Sequence, residues 1–216
     1  VTPSQEKIVQ LRARLTGPGI TATAAGAVRM PKDKSGKMAA DGAVSLKADL
    51  AELAKLLQPF GLLAPKSVLA GAADLDGKVA SSATGVRGAG TLVVAGLDVS
   101  LAEAGIVLKE PRATVPLAVE YASGERRWTA TLTGISSALV KGNASGSWTE
   151  TTPAPTVQVE CNLALDGERL TAALGKNLPQ GLRFAGAWGI SGRASGPLPS
   201  AAMPWNQKIA SLAGEG

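Results

Sequence analysis

Apolar and polar side chains alternate one for one through VQVECNLALD (157–166). Val157, Val159, Cys161, Leu163 and Leu165 fall on one side of an extended chain, and Gln158, Glu160, Asn162 and Asp166 on the other. Such a strand has one apolar side and one wet side, which antiparallel sheets tolerate and parallel α/β sheets rarely do. The same rhythm recurs in Val9-Leu11-Ala13-Leu15, Val44-Leu46-Ala48-Leu50, Val115-Leu117-Val119-Tyr121, Trp128-Ala130-Leu132, and Leu182-Phe184 with Trp188-Ile190. Turn signals stand between them at Gly17-Pro18-Gly19, Lys34-Ser35-Gly36, Asp76-Gly77, Ser123-Gly124 and Gly142-Asn143. Many short one-sided strands predict a mainly β (α+β) chain built as an antiparallel meander. Alternation alone leaves two architectures open, a curled trough and a self-packed sandwich.

Helical spacing interrupts the meander in a few places. In DLAELAKLL, Leu50, Leu53 and Leu57 share a face, Asp49 with Glu52 forms an aspartate version of the capping box, and Pro59 stops the run. In DGERLTAALG, Leu170 and Leu174 share a face, Asp166 caps the start, and Gly175 ends the helix. A third short helix is predicted over 205–212, with Trp205, Ile209 and Leu212 on one side.

The first two helices sit in matching surroundings: alternating strand, aspartate, short amphipathic helix, Pro and Gly linker, then a strand carrying Ala-Gly. Leu53 matches Leu170 and Gly71 matches Gly186, at offsets of 117 and 115 residues (170 − 53 and 186 − 71). A long internal repeat follows. It divides the chain into 1–43, the tail strands of a preceding unit; 44–156, a first strand-helix-strand unit with its meander; and 157–216, a second, truncated unit. A start at Val1, inside a plausible strand, predicts a segment excised from a longer parent.

Composition narrows the chemistry. The chain is 45% hydrophobic but only 3% aromatic, so it fills space with Ala, Gly, Val and Leu. It has no histidine and one cysteine, Cys161, which excludes an internal disulfide and a multi-thiolate or imidazole metal site. The net charge of +5 is scattered apart from Lys32, Lys34 and Lys37, and reads as solubility with a modest bias toward anionic surfaces. No apolar run approaches the ~18 to 20 residues that span a bilayer.

The ladder IVLKEPRATVPLAVEYASGERRWTATLTGISSALVKGNASGSW (106–148), followed by strand, Asp, short helix, Leu-Pro and strand, resembles bacterial AsmA-like proteins, the TamB relatives included. The resemblance runs from about residue 40 onward, in pattern more than identity. It implies a repetitive antiparallel sheet curled into a trough with an apolar inner surface, similar to the chorein-type bridge proteins. It also implies an inner-membrane-anchored parent reaching through the periplasm of the cell envelope, and a part in phospholipid transport and outer-membrane biogenesis. On that reading the chain is no enzyme and uses no cofactor or metal. Its partner is phospholipid rather than nucleic acid, and its membrane anchor lies outside this segment. The residues expected to face lipid are Val44, Leu46, Leu117, Val119, Val159, Leu163 and Phe184. The alternative is a structural or adhesive β-repeat module of an exported protein, with a self-packed core and no ligand.

Other candidates reduce to structure. Asp49 and Asp166, which could pair as acids, stand where a helix N-terminus needs an acceptor. KDKSGKM (32–38) lacks the first glycine and the final Ser or Thr of a phosphate-binding loop and reads as a hairpin turn. GPGITA (17–22) is followed by no helical pattern. Cys161, on an apolar strand face with no histidine in the chain, reads as an inert thiol. Trp128 and Trp188 are expected to be core anchors in an otherwise small-residue interior.

Overall fold

The computed structural model describes residues 7–31, 38–60, 63–64, 66–101, 105–151, 154–197 and 213–215. Its strands are β1 (Lys7–Gly17), β2 (Ile20–Met30), β3 (Ala39–Asp49), β4 (Val68–Ser82), β5 (Gly85–Leu101), β6 (Ile106–Ala122), β7 (Arg127–Ser136), β8 (Val140–Thr149), β9 (Thr156–Asp166), β10 (Ala187–Pro197) and the three-residue β11 (Ala213–Glu215). They form a single sheet in which every strand pairs antiparallel with its neighbours in sequence, from β1 to β11 without a crossover. The meander expected from alternation is present, and the sheet is open. Hydrogen bonding runs on through both unit boundaries read from sequence: 43/44 falls inside β3 and 156/157 at the start of β9.

Two eight-residue helices, α1 (Leu50–Leu57) and α2 (Gly167–Leu174), leave the sheet where β3 and β9 end. Each begins on its expected aspartate. Asp49 Oδ1 accepts from the N–H groups of Ala51 and Glu52, at 2.9 and 3.1 Å, and Asp166 Oδ1 accepts from Arg169 N–H at 2.9 Å. Pro59 falls in the 3-10 turn that ends α1, and Gly175 ends α2 with φ of 44°. β4, β5 and β6 are 15 to 17 residues long. They project past the ends of β3 and β7, and α1 packs beside β4 and α2 beside β6.

Among the described residues, only this helix-bearing rim holds well-buried ones: Ala48, Ala54, Ser67, Glu110, Gly167 and Ala173. No large side chain is fully buried among the described residues. The 21.7 kDa chain exposes 14593 Å², where a compact monomer of that mass would expose about 9,200 Å². The described strands therefore make one layer, and the sandwich is not formed.

Several expectations need correction. Asp76-Gly77 and Gly142-Asn143 are not turns but lie inside β4 and β8. Leu50 opens α1 rather than closing β3. Leu182 and Phe184 lie in an irregular segment bounded by Gly181 and Gly186, both at positive φ, and not in a strand. Trp128 and Trp188 are 37% and 47% exposed and anchor no core. The Gly17-Pro18-Gly19 and Ser123-Gly124 turns form as expected. The Lys34-Ser35-Gly36 turn and the helix over 205–212 lie outside the described residues.

Glycine placement explains why turn-like dipeptides sit inside strands. Gly26 faces Gly42 across β2 and β3, and Gly77 faces Gly90 across β4 and β5. A Cβ at Gly26 would collide with the Asp41 carbonyl oxygen, so the absent side chain lets the backbones approach. Gly26→Ala is expected to cost about 1–3 kcal/mol, read as a lower urea midpoint with unchanged slope.

Candidate functional site: an uncovered apolar sheet face

In an antiparallel sheet directly opposed residues share a face, so register fixes which side chains travel together. Ala13, Ala24, Val44, Gly77, Gly90, Leu117, Leu132, Ala144, Cys161 and Gly192 make one cross-strand row. The next row on the same face is Leu11, Gly26, Gly42, Val79, Gly88, Val119, Ala130, Gly146, Val159 and Ala194. Toward the helices runs Leu15, Ala22, Leu46, Leu75, Leu92 and Val115. Leu163 lies opposite Gly142 and Ile190 on this face. Neither a charge nor a hydrogen-bonding side chain occurs in these rows.

Six of the seven residues picked from sequence, Val44, Leu46, Leu117, Val119, Val159 and Leu163, therefore share this face. Phe184 reaches its helix-side border instead. Its ring meets Trp188 edge-on at 5.4 Å, and the Thr171 hydroxyl of α2 holds its backbone, accepting from Phe184 N–H at 2.7 Å and donating to its carbonyl at 3.0 Å. At the opposite border Tyr121, Trp128 and Trp148 stand side by side on β6, β7 and β8, the first two with ring centres 4.7 Å apart. No described element packs over the face: its flanks are exposed, with Leu11 at 54% and Val159 at 43%, and Val44, Leu46, Leu117, Val119 and Leu163 between them are half-buried by their neighbours.

The opposite face is wet. Basic and acidic side chains pair across it at Arg29–Asp41, Lys47–Asp74, Arg87–Glu120 and Arg193–Glu160, at 2.9 to 4.0 Å. Two hollows of 970 and 710 Å³ lie on this wet face, over a row of alanines that includes Ala25, Ala43, Ala89 and Ala118. The first is bordered by residues of every strand from β1 (Gln10) to β7 (Thr129). Val119 borders the first hollow, and Val44 and Leu117 the second. The apolar face itself forms no enclosed pocket among these.

Asp49 and Asp166 belong to helix starts on different strands and form no acidic pair. Asp49→Ala and Asp166→Ala are each expected to lower stability by ~1 kcal/mol, read as lower midpoints in thermal melts.

Sequence reasoning missed Glu110. It is 4% exposed, and its carboxylate accepts from Ala138 N–H at 2.9 Å and Leu139 N–H at 3.1 Å. Burial pushes this carboxyl up, but the hydrogen bonds from Ala138, Leu139, Ser137 and Arg112 outweigh it and hold the group below its ordinary value. Leu139 in turn accepts from Asp166 N–H at 2.9 Å, so Glu110 ties β6 through the β7–β8 connection to the start of α2. The sequence carries no clear signal for it, since Glu110 stands between Lys109 and Pro111 in a strand that also holds Arg112 and Glu120.

No group of His, Cys, Asp or Glu able to hold a metal occurs among the described residues, and none of their helices is long and apolar enough to cross a membrane. No family model, curated protein or solved structure matches the chain.

Proposed function

We propose that the chain is a non-enzymatic lipid-handling segment of an AsmA-like envelope protein, in which the apolar sheet face receives phospholipid acyl chains. Val44, Leu46, Leu117, Val119, Val159 and Leu163 are its lipid-facing set, with Phe184 at the border. The observation that carries this reading is the apolar face with nothing over it. A contiguous apolar surface of this extent is rarely left to water, because its exposure costs about 25 cal/mol per Å². An acyl chain leaving a bilayer has the complementary problem: at ~0.8 kcal/mol per CH₂, one ~16-carbon chain loses roughly 12 kcal/mol in water. Laying one on the other relieves both. Short Val, Leu, Ala and Gly side chains impose little selectivity among chains.

The two Asp-capped helices support a repeat, since both leave the same rim of the sheet, from Leu50 and Gly167. Repeated units of this kind would curl and extend the sheet into a trough in a longer, membrane-anchored parent in the periplasm. The self-packed module has no observation in its favour.

The test is organic extraction and mass spectrometry of the chain purified without detergent from bacterial envelopes. Phospholipid is expected at a stoichiometric level. A lipid-free protein that also takes up no fluorescent phospholipid from vesicles overturns the proposal.

A further inference from the structure

Tyr121, Trp128 and Trp148 continue the apolar face by one row beyond Val119, Ala130 and Gly146, and Val86 of β5 and Val157 of β9 flank them. Both tryptophans are exposed. Among the described residues, neither of their indole N–H groups nor the Tyr121 hydroxyl makes a hydrogen bond. At the helix-side border the Trp188 indole N–H is instead used, donating to the Ala185 carbonyl at 3.1 Å. In the turn between β6 and β7, Arg126 is exposed and makes no ion pair among the described residues, while its neighbour Arg127 pairs with Glu125 at 3.2 Å.

An indole or a phenol has an apolar ring and one polar tip. Its free energy is lowest with the ring against hydrocarbon and the tip in a polar layer, which is why Trp and Tyr collect at the level of lipid headgroups. Here the rings adjoin the apolar face and the tips an open rim. A guanidinium offers a phosphodiester two parallel hydrogen bonds. Length fits as well. Val115 lies six residues back from Tyr121 along β6, about 20 Å at ~3.4 Å per residue. The hydrocarbon of one leaflet is about 15 Å deep, half of a bilayer core, so an acyl chain that starts at the aromatic row ends before the helices.

We infer that the border of Tyr121, Trp128 and Trp148 holds the glycerol-phosphate part of a bound glycerophospholipid, with Arg126 on the phosphate and the acyl chains running along the strands toward α1 and α2. This rests on the reading of the face as lipid-binding and adds an orientation to it. The reverse orientation would bring the phosphate to the rim where the carboxylates of Asp49 and Asp166 open the helices and where Trp188 has no donor left. A neutral diacylglycerol, which has no phosphate for Arg126, is the weaker ligand.

The probe is phosphatidylcholine brominated either near the ester end or near the methyl end of its acyl chains, loaded from vesicles. The protein is the 216-residue chain carrying Trp188→Phe and Trp205→Phe, which leaves Trp128 and Trp148 as its tryptophans. Bromine quenches indole emission at contact, so ester-end bromine is expected to cause the greater loss. Equal loss, greater loss from methyl-end bromine, or no loss with lipid still recovered overturns the orientation and leaves lipid binding in place. No lipid recovered at all overturns the lipid reading, and the orientation with it. Should the tryptophan changes disturb the fold by circular dichroism, Arg126→Gln in the otherwise unaltered chain is the second test. It is expected to narrow the preference for dioleoyl phosphatidylglycerol over dioleoylglycerol about tenfold, and an unchanged preference overturns the inference.

Discussion

Replacing Glu110 by alanine is expected to lower stability by about 2–3 kcal/mol, because Ala138 N–H loses its acceptor inside a part-buried turn while Leu139 N–H retains Ser137 Oγ at 3.2 Å. Glu110→Gln keeps one carbonyl oxygen and should cost less. The effect depends on pH with a definite sign. The folded-state value of this carboxyl lies below the ordinary glutamate value of about 4.3. Its contribution is therefore fully present above that ordinary value and disappears as pH falls through the lowered one. Urea midpoints of wild type and Glu110→Ala should be furthest apart near neutrality and converge in acid. Other carboxylates titrate in both proteins and cancel in the difference. A gap that stays constant down to strong acid would mean that the carboxylate charge is not what holds the turn.

Val119→Asp should abolish phospholipid loading, with at least a tenfold drop in lipid recovered per protein, while the chain still folds. A charge laid on the apolar face must be desolvated by any acyl chain that covers it, and an unpaired charge pushed out of water is a large penalty. The folding cost is expected to stay under about 2 kcal/mol, since this position is half-open to solvent and has no packed core to disrupt. Ala118→Asp is the matched control. It is one residue away, points to the wet face, and should leave loading intact. Lipid phosphorus assays and melting curves on the two variants separate the proposed function from a self-packed module, for which Val119→Asp would unfold the protein.

Alternation made the meander readable, and with it the membership of the apolar face, because a period of two assigns a side to every residue once the strand is recognised. The helix starts were equally plain, since an aspartate before a 3.6-period run has one obvious structural use. Strand length was not readable. β4, β5 and β6 run through Gly71, Gly77, Gly90, Gly96 and Pro116, residues that locally argue for turns; cross-strand approach at glycine and the pairing of long neighbours overrode that preference. Trp128 and Trp188 were misplaced for a different reason. Large apolar residues normally mark an interior, but one sheet layer has no interior to put them in. Glu110 escaped because Ala138 and Leu139, whose backbone N–H groups it accepts from, lie 28 and 29 residues away, and no local pattern announces such a contact.

The strictly sequential strand order also governs how the chain comes into being. Each strand finds its mate in the hairpin made just before it, so the sheet can be completed in the order of synthesis without waiting for distant segments. It follows that length is adjustable at little topological cost: a hairpin added or removed changes how far the apolar face reaches without rethreading the rest. Reach along one axis becomes a quantity that duplication can set, much as links set the span of a chain.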